Sequence, residues 1–243
     1  MTVEISVIIP AYNEQHYLPQ TLQTLHTAIT ACRGTAEVVV VDNNSTDRTA
    51  AIARQYDTRV VFEPINQISR ARNTGARHAS GTFLIFLDAD TRISASLLQE
   101  TLNLLRGGRC AGGGATVQPD RRLKLFFRFA VDLWNRLSRA LQVAAGCYIF
   151  CTRKGFDAVG GFSQKVYVGE EIWFSRAYRK WARKHGRSFQ ILHLAPVVTS
   201  ARKLSWFPTG RSLLLVTAMV FFPVIARSRK LCWLWYKRPP GAG

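Results

Sequence analysis

The sequence predicts an open α/β fold, in which helices flank a mostly parallel sheet. Three observations lead there. Short β-branched or aromatic runs recur at "ISVIIP" (5–10), "AEVVVVD" (36–42), "RVVFE" (59–63) and "TFLIFLD" (82–88). They are apolar without a break, as expected of parallel strands covered on both faces. Helical patterns separate them, and strand–helix alternation of this kind defines the class.

The elements follow in order. After the first run, Leu18, Leu22, Leu25 and Ile29 fall on one helical stripe. After the second comes "NSTDRTAAIARQY", where Ser45 or Asp47 can cap a helix. After the fourth, "SASLLQETLNLL" predicts another helix. "CYIFC" (147–151) and "FQILHLAPVV" (189–198) are strand-like, and "IWFSRAYRKWARKHG" (172–186) is helical.

The net charge of +18 is unevenly placed. Residues 1–120 carry 10 Lys+Arg against 11 Asp+Glu, whereas residues 121–243 carry 23 against 4. The second half therefore faces something anionic: phosphates, a membrane surface or nucleic acid. Five scattered cysteines without a CxxC pair exclude a disulfide framework or zinc site and fit a reducing compartment. "MTVEISVIIPAYNE" meets an acid at once and is expected to be a first strand, not a signal peptide.

Polar residues gather where strands end: Asn13 and Glu14, Asp42, then Asp88 and Asp90. Ligands of open α/β sheets bind beyond such ends. Residues two apart on a strand project to one face, so Asp88 and Asp90 are expected to aim together, with Ala89 turned away. Two readings stand for them. The pair carries Mg²⁺ or Mn²⁺, which take one or two carboxylates plus substrate phosphates, or it is a solvated turn capping the next helix.

Together, "SVIIPAYNE" (6–14), "VVVVDNNSTDRT" (38–49), "ISRARNTGARHASGTFLIFLDAD" (68–90), "AAGCYIFCTRKGFDAVGGF" (144–162) and "GEEIWFSR" (169–176) resemble the inverting nucleotide-sugar glycosyltransferases of family 2, with the GT-A fold. The resemblance covers about residues 5–203. It implies that Pro10, Ala11, Tyr12 and Glu14 line the base and ribose pocket, and that Asp42 holds the base or ribose. Arg70, Arg72 and Asn73 would lie along the nucleotide and diphosphate, and Asp88-Ala89-Asp90 would be the DxD motif. Arg202 and Lys203 would close over the diphosphate, or form a solvated basic loop. His193 would be structural, or a late metal ligand. The sequence departs from the family at Asp42-Asn43-Asn44-Ser45-Thr46-Asp47, which lacks one carboxylate and a glycine, and at Glu170-Glu171, where Glu-Asp is common.

An inverting transfer needs a carboxylate to take the acceptor's proton. Residues 121–243 hold only Asp132, Asp157, Glu170 and Glu171 as acids. Matching the motif puts the base at Glu171 with Glu170 its helper, while a helix N-terminus also favours negative charge there.

The expected organisation is a catalytic domain over 1–205, with a donor half (1–120) and an acceptor half (121–205), followed by an apolar and basic segment, 206–243. "RRLKLFFRFAVDLWNRLSRALQV" (121–143) is amphipathic at helical spacing, either packed on the domain or facing acceptor and membrane. "LLLVTAMVFFPVIA" (213–226), at about 1.5 Å per residue, falls short of a roughly 30 Å hydrocarbon core. It is expected to be re-entrant, interfacial or buried, with "LCWLWYKR" (231–238) suited to a headgroup belt. The expectation is a cytoplasmic protein, peripheral on an anionic leaflet, acting on a glycan or lipid-linked acceptor. A sugar-phosphate nucleotidyltransferase would carry a glycine-rich loop where "PAYNEQHYLP" has none. A basic nucleic-acid-binding or membrane-binding module would leave the acidic strand ends and Glu170-Glu171 unexplained, whereas the altered turn after Asp42 leaves a catalytically altered relative as an alternative.

Overall fold

A computed structural model describes residues 2–202, 223–232 and 236. The first half alternates β1 (Ile5–Ala11), α1 (Leu18–Ala31), β2 (Ala36–Asp42), α2 (Thr49–Ala53), β3 (Arg59–Phe62), α3 (Ile68–His78) and β4 (Phe83–Leu87). Then follow β5 (Thr91–Arg92), α4 (Ala95–Arg106), β6 (Cys110–Pro119), α5 (Leu125–Leu141), β7 (Tyr148–Thr152), α6 (Arg153–Val159), α7 (Glu170–Lys184) and β8 (Ser188–Thr199). A short 3-10 helix spans Pro223–Arg227.

The described strands form one sheet in the order β3-β2-β1-β4-β7-β6-β8-β5. The first four are parallel, β7 runs against β4 and β6, and β6 and β8 are parallel again. The fold is thus the α/β class expected. Successive strand residues feed opposite layers: Val7, Ile9, Val38 and Val40 pack with Leu18, Leu22, Leu25, Leu98 and Leu102. Ile8, Val39 and Val41 pack with Ala71, Phe162, Phe174 and Tyr178 on the other face. Burial on both faces is what a continuous apolar run encodes.

Besides the two-residue β5, three elements escaped the pattern. β6 carries "CAGGGATVQP", whose glycines resemble a loop, yet they are what let it lie between β7 and β8. A Cβ on Gly113 would stand 1.9 Å from the Gln190 carbonyl oxygen and 2.6 Å from the Phe150 ring. α3 has mainly small and polar residues because its buried face holds polar contacts, and α6 is only two turns. Ser94, not the aspartate pair, caps α4, its Oγ accepting from Leu97 N–H.

α5 shows its apolar stripe to the outside. Leu125, Phe126, Phe129, Leu133, Leu137 and Leu141 are exposed, while Phe127 and Trp134 are half-buried. None of the described helices is long and apolar enough to cross a membrane. Residues 203–222, which include Lys203 and most of the apolar 213–226 run, lie outside the described residues.

Gly113→Ala should destabilise the fold by about 1–3 kcal/mol, the usual cost of overpacking a tight site. Urea unfolding followed by circular dichroism measures it, and an unchanged midpoint would contradict the close strand approach.

Candidate active site

A cavity of about 320 Å³ opens where β1, β2 and β4 end. Pro10, Ala11, Tyr12, Glu14, Arg72, Asp88, Ala89, Asp90, Glu170, Glu171 and Arg202 all line it. Asp42, Arg70 and Asn73 do not, and each has a local task instead.

Asp42 Oδ1 accepts from Ser45 N–H at 3.0 Å and shapes the turn after β2. That turn clasps the loop after β1: Asn13 N–H donates to Ser45 Oγ at 3.0 Å and Glu14 N–H to Thr49 Oγ1 at 2.7 Å. Gln15 N–H donates to Asp47 Oδ2, and Asp47 Oδ1 accepts from Thr49 N–H at the start of α2. The departures from the family pattern have physical reasons here. Asn43 Nδ2 donates to the Glu63 and Ile65 carbonyls while its Oδ1 accepts from Gln67 N–H. A carboxylate could not make the first two bonds. Asn44 sits at φ 64°, a left-handed conformation that asparagine, like glycine, tolerates.

Arg70 Nε donates to Gln67 Oε1. Asn73 makes paired bonds with the Phe162 backbone at 2.8 and 2.9 Å, and Gln67 Nε2 reaches the Gln164 and Val166 carbonyls. α3 therefore staples the loop leading to Glu170 and Glu171.

The aspartates converge by a turn rather than by strand periodicity. β4 stops at Leu87, and Thr91 N–H closes back on the Asp88 carbonyl at 3.0 Å. Ala89 is buried with the core of the α1 and α4 layer and also borders the cavity, and its carbonyl accepts from Thr21 Oγ1. β5 then pairs with the end of β8, and Ser200 N–H donates to the Asp90 carbonyl. That pairing delivers Arg202, which is buried: its Nη2 lies 2.5 Å from Glu14 Oε1 and 3.1 Å from Asp90 Oδ2. Its guanidinium also stacks 4.1 Å over the Tyr17 ring. This is no solvated basic loop.

Arg72 is 1% exposed and joins the two halves. Nη1 donates to Glu170 Oε1 at 2.6 Å, and Nη2 to Asp88 Oδ1 at 3.0 Å and the Gly146 carbonyl at 2.7 Å. Burial opposes its charge, but the Asp88, Glu170 and Glu171 carboxylates outweigh that and hold it protonated.

Gly169, at φ 78°, starts α7 and sets Glu170 and Glu171 in its first turn. Burial pushes the Glu170 carboxyl up, against the attraction of Arg72. Glu171 is half-open by surface area although protein atoms crowd its carboxyl. Burial first, then the Glu170 charge, pushes it up to about 8. Burial also pushes the nearby Cys147 thiol well up, so it stays protonated and is no nucleophile.

The lining thus carries five carboxylates and two guanidiniums. Among the described residues no group of three or more His, Cys, Asp or Glu forms a metal cluster. Two hard carboxylates still fit a cation that completes its shell with phosphate and water. His193 is exposed on β8, outside the cavity. The sequence reading missed Asn43, Asn66, Tyr167 and Tyr236 as lining residues. Tyr236, expected in a headgroup belt, instead donates its hydroxyl to the Tyr167 carbonyl at 2.8 Å. No sequence pattern signals that long-range contact.

The family model described as "Glycosyl transferase family 2" matches residues 6–159. The glycosyltransferase AglE of Haloferax volcanii is 38% identical over 192 residues, covering 71% of this chain and 60% of the relative. The chain therefore belongs to glycosyltransferase family 2. Undecaprenyl-phosphate 4-deoxy-4-formamido-L-arabinose transferase of Salmonella choleraesuis is 28% identical over 153 residues, 60% of this chain and 46% of the relative. Glucosyl-3-phosphoglycerate synthase from Mycobacterium tuberculosis, solved with Mn²⁺, UDP and glucosyl-3-phosphoglycerate, shares the fold. Its TM-score is 0.64 at 18% identity, over 98% of this chain and 82% of that one. The chain spans 60% or less of the length of these two curated relatives.

Arg72→Met leaves Glu170 and Asp88 without their partner and should cost about 3–5 kcal/mol, read by chemical unfolding. The raised Glu171 pKa gives a second expectation. Its folded form holds the proton more tightly than the unfolded chain, near 4.5, so its contribution is full below that value. It is lost as pH rises through about 8. Stability measured from pH 5 to 9 should therefore fall more steeply in the parent than in Glu171→Gln.

Proposed function

We propose that this protein is a metal-dependent inverting glycosyltransferase, moving a sugar from a nucleoside diphosphate to a hydroxyl or phosphate of a lipid-linked or membrane-proximal acceptor. One observation carries the reading. In a family 2 fold, a single cavity holds Asp88 and Asp90 at the strand ends and, across Arg72, Glu171 in the first turn of α7.

In this reading residues 1–120 take the donor. Pro10, Ala11, Tyr12 and Glu14 line one wall, with Asn43 beside Asp42 at the base end. Asp88 and Asp90 would hold Mg²⁺ or Mn²⁺. Bound there, a divalent cation neutralises charge on the departing nucleoside diphosphate. It also answers a simple imbalance: a cavity richer in carboxylates than guanidiniums cannot accept a diphosphate on its own charge. Arg202, already at Asp90, is placed to follow the diphosphate.

Residues 121–205 supply the acceptor side. Glu171 in its carboxylate form takes the acceptor hydroxyl's proton as that oxygen bonds the anomeric carbon. The bond to the diphosphate breaks on the opposite face, and the configuration inverts. Glu170, tied to Arg72, positions Glu171 rather than reacting. An acceptor phosphate is already ionised and needs no base. The Mn²⁺- and UDP-bound fold neighbour and the relative named for undecaprenyl phosphate support the donor and acceptor classes proposed. A cytoplasmic site at the membrane face goes with such an acceptor.

A panel of nucleotide sugars with Mg²⁺ or Mn²⁺, scored for binding and slow hydrolysis, tests the proposal; silence towards every donor overturns it. Asp90→Asn should abolish metal-dependent donor binding. Glu171→Gln should keep that binding and stop transfer to a hydroxyl, and surviving transfer would displace Glu171 as the base.

A further inference from the structure

Helix α5 is turned inside out relative to a core helix. Its apolar stripe is the outer one: Leu125 is 80% exposed, Phe129 65% and Leu141 57%. The orientation is held by polar contacts on the opposite side. Asn135 pairs with Val117 through both its Oδ1 and Nδ2, each at 2.9 Å, and Ser138 Oγ donates to the Val143 carbonyl at 2.6 Å. These bonds fix the rotation of the helix about its axis, so the stripe faces outward by construction.

What would cover such a stripe follows from its border. At 100° per residue, Arg128 and Arg139 run along one edge of it beside Asp132, Arg136 falls just inside it, and all four are exposed. Arg121, Arg122 and Lys124 precede the helix, and residues 121–143 contain one acid, Asp132. A surface hollow at that end is lined by Arg121, Arg122 and Arg128 against Asp120 and Asp132, a net positive set, together with Leu123 and Val131. Two copies meeting stripe to stripe would bring together three arginines and one carboxylate from each helix, an excess of positive charge. An anionic bilayer offers the complement to both features, acyl chains for the stripe and phosphates for the arginines.

We propose that α5 is the membrane-docking element, lying flat in the headgroup region of an anionic bilayer. Phe126, Phe129, Leu133 and Leu137 point to the acyl chains, and the arginines reach lipid phosphates. The segments flanking the helix are tied to residues beside the active cavity. Asp120 Oδ1, just ahead of it, accepts from Ala201 N–H at 3.0 Å, one residue before Arg202. Beyond its last turn, Ala144 N–H donates to Ser175 Oγ of α7, and the Gly146 carbonyl accepts from Arg72. A docked α5 therefore sets the cavity beside the lipid surface. That purpose rests on the membrane-borne acceptor proposed above, whereas the docking itself does not.

The test is sedimentation of the full chain with vesicles of phosphatidylcholine and phosphatidylglycerol in equal parts, and of phosphatidylcholine alone. The parent should bind the anionic vesicles, less at high salt and less to neutral ones. The triple variant F129S/L133S/L137S should lose at least about tenfold in partition, because three apolar side chains leave the interface. Its melting temperature and metal-dependent nucleotide binding should be unchanged. Equal binding by parent and variant, or no binding by the parent, overturns the proposal. So does a parent dimer that the variant converts to monomer without lipid, since a second copy would then be the occupant. Vesicle binding without any donor binding would sink the transferase reading and leave the docking surface standing.

Discussion

Arg72 sits where the two halves of the fold have to agree. It reaches the turn after β4, the first residue of α7 and the backbone before β7 with one side chain. A guanidinium suits this because its donors lie in a fixed planar fork, and a lysine could not span three acceptors at set angles. Buried charge is costly unless every partner is present. The geometry of Asp88 and that of Glu170 are therefore coupled through a single group. The Phe162 ring beneath Arg72, at 5.2 Å, belongs to the aromatic cluster under α7, so the core itself sets the guanidinium's height.

Around that post, α3 acts as a clamp. Gln67 and Asn73 use side-chain amides to hold backbone about ninety residues further along. Polar residues on a buried helical face would ordinarily weaken a helix in an apolar core. Here each amide finds donors and acceptors in a loop that has no strand to satisfy it. The carboxylates at α7 thereby gain a fixed approach from a segment lacking regular structure.

The first half was largely legible in the sequence because parallel strands buried on both faces leave continuous apolar runs, and strand ends mark the site. The second half was less so. β6 is hidden because the glycines that let it pack so closely are also loop formers. Asp88 and Asp90 do share one cavity, though a turn and not the pleat brings them there. Arg70, Arg72 and Asn73 share a helix and a motif, yet only Arg72 faces the cavity. Pattern gives the helix, while which side chain reaches inward depends on what packs against it. The contact of Tyr236 with Tyr167 joins distant segments and leaves no periodic trace.

The ion pairs at the cavity floor have a thermodynamic consequence. Asp88 and Asp90 are already matched by Arg72 and Arg202, so neither waits as bare charge. A cation seated at Asp90 Oδ2 would compete with Arg202 there. Arg202 would keep Glu14 as partner in that exchange, and a diphosphate in the same cavity would be a second anion within its reach. Under the proposed function, binding of the two ligands is then positively linked through Arg202 as well as through the cation's own attraction for the diphosphate. Under that reading the site would favour metal and donor arriving together over metal alone.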